Sequence, residues 1–451
     1  MAGLLLATAG LLAGCYAAQE QPLPDEVSDP KLDLVAHIRD NPQDLDAHAD
    51  LLRLQIRAGD AEGAKGTVAH ARKYNPQDFR ALLLQAQYDR WQTDLLGAEK
   101  SLLAARDLAP DRLEPRVALA GLYNQTYLEG AELEQRRVAL ELCDAALRPE
   151  FALDYAFALA QMGRDGDARK AAEALVAGSA RAHLLLAELA LLAGTDAGAV
   201  EHTLAAVALE PAEPGNLQFA ARLVCAVEDP AGLKPVFDGA LAGQDRAEVR
   251  WTALFGLWML AVRKAPAQAL SGDADQWRQR LATMDPAHPD LLGRWWQLLK
   301  LDPARKAEAE AAGKVLQESS VGMPPEAPTM DALLDLWRAE DLLRLGAGRP
   351  CFEAVSQLEV RAPGIAGLRM LRVMALFKAR DDTRCLAALD AWLGESEEPD
   401  EVLQTLRWWL LLRNSRGPEV LKDLESRQDA PGNARLWVEA VAKFHTYRGK
   451  S

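Results

Sequence analysis

Apolar residues near the start of the chain recur at the three- and four-residue spacing of an amphipathic helix, and the helices they mark come in pairs. Leu51 and Leu54 lead up to Gly59, and Ala64, Val68, Ala71 and Tyr74 follow beyond the turn. Gln85 and Tyr88, then Ala98, Leu102, Ala105 and Leu108, hold the matching places of the next pair. Between pairs stand Asn41-Pro42-Gln43-Asp44, Asn75-Pro76-Gln77-Asp78 and Ala109-Pro110-Asp111. The prolines fall at a constant interval, 76 − 42 = 34 and 110 − 76 = 34, and a fixed period of this size marks a repeat architecture. No single pair can bury its apolar side alone, so each must shield the next.

The same spacing predicts a leading helix at 31–39, a hairpin of 45–58 with 61–74, a second of 79–91 with 95–108, and a third opening at Leu113. Pro149 follows Pro110 at a longer interval, 149 − 110 = 39, which predicts an insertion at 126–132 and a second helix continuing to 147. A short fourth unit, 151–178, turns at Gly163-Arg164-Asp165-Gly166 with Ala168 at the crossing. In the fifth, Leu186, Ala187, Gly194, Ala199, Ala206 and Pro211 recover the register. After Pro214 the register decays into helices at 217–227, 233–241, 246–263, 274–284, 289–300 and 303–317. Gly322, Pro324, Pro325 and Pro328 mark 318–329 as an internal linker. Helix pairs then resume at 330–345 with 351–360, 364–379 with 383–393, and 401–413 with 418–427, ahead of a capping helix at 433–447.

This register resembles the tetratricopeptide repeat: two antiparallel helices per unit, small residues where they cross, and a proline closing the second helix. The resemblance implies an all-α fold, a right-handed α-solenoid of antiparallel helix hairpins. About five repeats would fill 31–213, with degenerate helical repeats at 214–317 and tetratricopeptide-like repeats at 330–451. In that family the first helix of each unit lines a concave face that receives an extended peptide or a partner helix. Carried onto the first three units, the groove positions are Asp46, Ala49, Arg53 and Ile56, then Arg80, Leu83, Gln87 and Arg90, then Val117, Gly121 and Asn124. Of these, Arg53, Arg80, Leu83, Gln87, Arg90 and Asn124 are the candidate partner-binding residues, with side chains suited to a peptide backbone or an acidic partner. Family members that grip a C-terminal carboxylate use Lys and Asn at two places where this chain has Ala49 and Arg53, so that clamp is not reproduced.

Residues 1–14 are almost wholly apolar but fall short of the roughly 20 residues that span a bilayer. They end Leu12-Ala13-Gly14-Cys15, which resembles the bacterial lipobox. That resemblance implies a cleaved signal peptide at 1–14, lipidation of Cys15, and a Pro-rich, acidic tether at 15–30. Tyr16, rather than Asp, points to outer-membrane retention in a Gram-negative host. Acyl chains contribute about 0.8 kcal/mol per buried CH₂, enough together for stable anchoring. The other reading is an apolar tail on a cytoplasmic regulatory or chaperone-like module.

Ala and Leu dominate and β-branched runs are scarce, in keeping with an all-α chain. A net charge of −15 disfavours nucleic acid as a partner. No phosphate loop, dinucleotide fingerprint or nucleophile elbow is present, and no histidine follows another at three or four residues, so no cofactor, metal or catalytic residue is assigned. His48 and His70 take structural roles, and the acidic pairs Glu340-Asp341 and Glu397-Glu398 read as solvated faces. Cys143, Cys225, Cys351 and Cys385 each sit in an apolar helical pattern and read as core residues. All tryptophans but Trp91 lie at or beyond Trp251. Adjacent helical residues diverge by about 100°, so in Trp295-Trp296 and Trp408-Trp409 one ring of each pair reaches a second helix layer or lines a groove. The sequence thus points to a non-catalytic, membrane-anchored adaptor that binds protein partners in a bacterial envelope assembly or secretion system. The competing class is an enzyme with a deep polar pocket in the C-terminal half, near Trp295 or Trp408.

Overall fold

The Asn-Pro-Gln-Asp junctions work through their last residue. Asp44 accepts hydrogen bonds from the backbone N–H groups of Asp46 and Ala47, and one period on (78 − 44 = 34) Asp78 accepts from Arg80. The second helices repeat the device: Asp60 caps Gly63, and Asp94, again one period on (94 − 60 = 34), caps Gly97. Each such cap satisfies an otherwise orphaned N–H and contributes about 1 kcal/mol. The computed structural model describes residues 30–319, 322–395, 400–426 and 433–448; the lipobox and its tether lie outside them.

A leading helix, α1 (Pro30–Asp40), is followed by hairpins of α2 (Leu45–Arg57) with α3 (Ala61–Tyr74), α4 (Phe79–Trp91) with α5 (Leu95–Leu108), and α6 (Leu113–Gln125) with α7 (Glu129–Leu142). Then come α8 (Arg148–Gln161) with α9 (Asp165–Glu173), α10 (Ala180–Leu192) with α11 (Asp196–Leu209), and α12 (Pro214–Ala226) with α13 (Lys234–Gly243). The next pairs are α14 (Ala247–Lys264) with α15 (Gly272–Met284) and α16 (Pro289–Lys300) with α17 (Lys306–Glu318). The chain ends with α18 (Met330–Arg344) and α19 (Gly348–Arg361), α20 (Leu368–Lys378) and α21 (Asp382–Glu395), α22 (Glu401–Arg413) and α23 (Gly417–Glu425), and α24 (Asn433–Tyr447). No strand occurs among the described residues, and the all-α fold of antiparallel hairpins stands.

The backbone carries the period more faithfully than the prolines do. Gly59, Thr93 and Tyr127 have φ of 70°, 60° and 55°, each at the inner turn of its hairpin and one period from the next (93 − 59 = 34, 127 − 93 = 34). Gly346 and Arg380, at φ 79° and 58°, restore the same step (380 − 346 = 34) in the C-terminal part. This corrects the position of the insertion. The third hairpin turns on schedule at Tyr127, α7 stops at Leu142 instead of running to 147, and the extra residues form the turn at 143–147 before α8.

The chain forms two compact bodies, one of residues 156–389 and one of 30–155 together with 390–448. In the first, residues far apart in sequence meet: Arg380 donates to the Gln161 carbonyl at 2.6 Å. The stretch expected as a linker is packed down in its described part, 322–329. Gln297 on α16 donates to the Pro325 carbonyl at 2.8 Å, and α16 and α18 are joined by ion pairs described below. In the second body α24 lies against α5, with Arg448 Nε, just beyond α24, donating to Glu99 Oε1 at 2.7 Å.

Candidate functional site

In the body of 30–155 and 390–448, the first helices α2, α4 and α6 lie side by side, and Arg90 on α4 donates to Gln125 on α6 at 2.7 Å. Asp46, Arg53, Arg80 and Val117 are exposed along this row, and Ala49, Leu83, Gln87, Arg90 and Gly121 are half-buried. The arginines have local partners: Arg53 pairs with Asp50 at 2.5 Å, and Arg80 forks onto Asp78 at 2.8 Å. Two expected groove positions are corrected. Ile56 is buried in the core of the first hairpins, packed with Leu52 and Val68. Asn124 turns inward, its amide donating at 3.1 Å to both oxygens of Glu132. The reason is the register: 98 − 64 = 34 and 132 − 98 = 34, so Glu132 occupies the crossing position where earlier hairpins place Ala64 and Ala98, and the buried carboxylate takes up Asn124 and Arg136.

The tryptophan pairs fill helix layers. Trp295 lies under the Arg278 guanidinium from α15 at 4.4 Å, while the neighbouring Trp296 ring meets Gly313 of α17. Trp408 donates to Asp423 on α23 at 2.6 Å, and Trp409 meets Tyr127 edge-on at 5.5 Å. Cys143, Cys225, Cys351 and Cys385 are buried free thiols. His48 is wholly buried, its Nε2 at 2.9 Å from His70 Nδ1, and His183 and His202 meet in the same manner at 3.2 Å. No cluster able to hold a metal ion occurs among the described residues, and no described helix is long and apolar enough to cross a membrane.

The region where the repeat register fades holds a cavity of about 350 Å³, walled by α12, α14, the start of α16 and the end of α18. Its floor is a cross-helix charge pattern. On α16 Asp290 and Arg294 are four residues apart, on α18 Asp341 and Arg344 three apart, and the helices pair them in reverse order. Arg294 Nη2 meets Asp341 Oδ1 at 2.7 Å, and Arg344 Nη1 meets Asp290 Oδ1 at 3.0 Å. Arg294 is buried, its Nη1 3.5 Å from Cys225 Sγ and 3.6 Å from Met259 Sδ, with its guanidinium over the rings of Trp337 and Phe255. Trp337 donates in turn to Gln297 at 2.7 Å. Trp251 stacks on His288 at a centroid distance of 3.6 Å and on Phe255 at 5.2 Å, forming one wall.

Burial alone would favour neutral groups here, and the cluster resists it by pairing. Burial pushes the Asp290 carboxyl up, but Arg344, Arg294 and Arg222 reverse this and hold it below its ordinary value. Burial likewise opposes the charge on Arg294, and Asp341 restores it, so this guanidinium stays protonated above its usual range. Glu340, next along α18, is raised by burial and tends toward its neutral form. Arg222 is the exception. Desolvation and then the neighbouring Arg344 lower its pKa, and among the described residues it makes no hydrogen bond or ion pair. His288 is lowered by burial and is neutral at pH 7, and burial pushes the Cys225 thiol up to about 12.

The expectation that Glu340-Asp341 is a solvated face is therefore overturned for Asp341, which is wholly buried on Arg294. A signal for this was present. Arg294 sits among Leu291, Leu292, Trp295, Leu298 and Leu299, on the apolar spacing of its helix, where a charge requires a partner. Chemically the arrangement offers one guanidinium, Arg222, without a hydrogen-bond or ion-pair partner among the described residues, beside an apolar wall. Its thiol is protonated and Arg294 and Arg344 are engaged in pairs, so it is suited to holding a ligand.

No family model and no curated protein matches the sequence. Among solved structures, the chain is similar to a tetratricopeptide repeat protein from Parabacteroides merdae at 14% identity, over 66% of this chain and 98% of that one, with a TM-score of 0.32. The TPR domain of P58(IPK) aligns at 14% identity over 90% of this chain and 99% of that one, TM-score 0.22. Yeast Tom70 aligns at 12% identity over 85% and 99%, TM-score 0.22. The common step shared by prolines, aspartate caps and left-handed turn residues makes this an all-α protein of repeated antiparallel helical hairpins.

Proposed function

We propose that the chain is a non-catalytic scaffold, tethered to a bacterial envelope membrane through lipidated Cys15, that holds a protein partner against the first helices of its N-terminal hairpins. The observation carrying this reading is the row formed by α2, α4 and α6, on which Arg53, Arg80 and Val117 remain exposed beside half-buried Leu83, Gln87 and Arg90. A polar strip with apolar points, presented by packed helices, suits an extended peptide or an amphipathic helix. Asp50 and Asp78 orient Arg53 and Arg80 without burying them, so both guanidiniums keep donors for an acidic partner.

Two measurements test the halves of the proposal separately. Wild type is expected to incorporate labelled palmitate and Cys15→Ala to lose it; equal labelling of both removes the tether. In crosslinking pull-downs from envelope fractions, the combined Arg53→Glu, Arg80→Glu and Arg90→Glu variant is expected to lose the partners wild type retains. Unchanged capture removes the helix row as the binding face.

A further inference from the structure

The cavity of the 156–389 body is independent of the N-terminal helix row, and its chemistry selects its own ligand. Three guanidiniums, Arg222, Arg294 and Arg344, converge on it from α12, α16 and α18, and four carboxylates, Glu248, Asp285, Asp290 and Asp341, also line it. Asp341 Oδ1 is paired with Arg294 at 2.7 Å and Asp290 Oδ1 with Arg344 at 3.0 Å, while among the described residues Asp341 Oδ2 is buried with no hydrogen-bond partner. Of the three guanidiniums, Arg222 alone has no hydrogen-bond or ion-pair partner among the described residues although it lines the cavity. Leaving a guanidinium half-buried and unpaired beside Arg344 is unfavourable unless an anion completes the cluster.

We propose that this cavity binds a small monocarboxylate with an apolar body, its carboxylate forked on Arg222 and its body against the wall of Trp251, Phe255 and Met284. Size supports this: about 350 Å³ sits at the low end of the roughly 300–1,000 Å³ of small-molecule clefts. Charge supports it too. The unpaired guanidinium of Arg222 offers a fork to one carboxylate, while Glu248 and Asp285, which also line the cavity, oppose a dianionic phosphate more strongly than a monoanion. The planar fork of a guanidinium is matched by a planar carboxylate. His288, neutral and stacked on Trp251, closes the wall without adding charge.

The test is calorimetric titration of the full chain with phenylacetate and N-acetylleucine, each beside its amide, and with inorganic phosphate. The arginine Nε resonances are followed by NMR in parallel. Each acid is expected to bind at least on the order of tenfold more tightly than its amide and than phosphate, and to shift one arginine resonance that is missing in Arg222→Gln. Arg222→Gln is expected to bind acid and amide equally, with Arg222→Lys between it and wild type. Equal binding of acid and amide by wild type, tighter binding of phosphate, or no heat and no arginine shift at about 10 mM acid overturns the proposal. The acid–amide comparison needs only wild type, so a misfolded variant does not leave the question open.

Discussion

At the scale of single residues, two buried carboxylates in the 156–389 body show opposite solutions to the same desolvation cost. Asp341 keeps its place by an ion pair with Arg294, at side-chain exposures of 1% and 7%. Such a pair defines a geometry more than it adds stability, since removing both charges from water offsets much of their attraction. Glu188 on α10 has no such partner among the described residues. Its carboxylate lies on the turn at Gly346, where any side chain would collide with it and where φ of 79° already calls for glycine. Burial raises it to about 7, against a partial opposing effect of Lys378. The sign follows from the raised value: the folded state holds this proton more tightly than the unfolded chain. The contribution is therefore complete below the ordinary value of 4.5 and is lost as pH climbs through about 7. Glu188→Gln is expected to match wild type near pH 4 and to exceed its stability by on the order of 2 kcal/mol near pH 9. Urea unfolding at both pH values checks this, and a gain of equal size at both would show that the carboxylate does not titrate as described.

At the scale of the element, the inner turn of each hairpin needs one residue in the left-handed region, and the chain meets that need unevenly. Gly59 supplies it without cost, and a Cβ built there meets nothing within 4 Å, so Gly59→Ala would report backbone strain alone. Thr93 holds the equivalent position with φ of 60°, a poor place for a β-branched residue. Thr93→Gly is expected to raise stability by about 1 kcal/mol and Gly59→Ala to lower it by about the same, read as opposite shifts in Tm. Two shifts of one sign would exclude the shared turn geometry. These turns also explain what was legible in the sequence. Helix bounds depend on local spacing and caps, and α3, α4, α5 and α16 coincide with the ranges expected from apolar periodicity. Thr93, Tyr127 and Arg380 carry no glycine signal, so the third unit's extra residues were placed at the one visible irregularity near Tyr127 instead of at 143–147. Arg294 and Asp341 were opaque for a different reason. Asp341 looks solvated in its own segment, and Arg294, although set among apolar residues, does not reveal a partner 47 residues away.

At the scale of the molecule, the body of 30–155 and 390–448 depends on residues from opposite ends of the chain, and no local pattern announces this. Glu99 on α5 accepts from Tyr123 at 2.8 Å and from Arg448 at 2.7 Å, although Arg448 is 349 residues away. The Arg448 guanidinium also lies over the Tyr123 ring at 5.2 Å, and His445 Nε2 contacts the Thr126 carbonyl. Burial and the Glu99 carboxylate hold the Tyr123 hydroxyl protonated up to about 12, so it remains a donor at neutral pH. A simple stack would leave its terminal helices fraying independently, with stability a sum of neighbour interfaces. Here α24 instead covers a charged residue of the second hairpin, and its loss would leave Glu99 with only the tyrosine and expose the Tyr123 ring. Removing residues 433–451 is therefore expected to speed amide exchange in α5 and α6 by at least on the order of tenfold. Exchange in α10 and α11, which belong to the other body, is expected to be unchanged. Arg448→Gln should reproduce part of the effect in the same helices, because it removes the ion pair but keeps the helix. If α5 and α6 exchange alike with and without α24, the contact at Glu99 contributes no stability and the hairpins of 30–155 stand on their own neighbours alone.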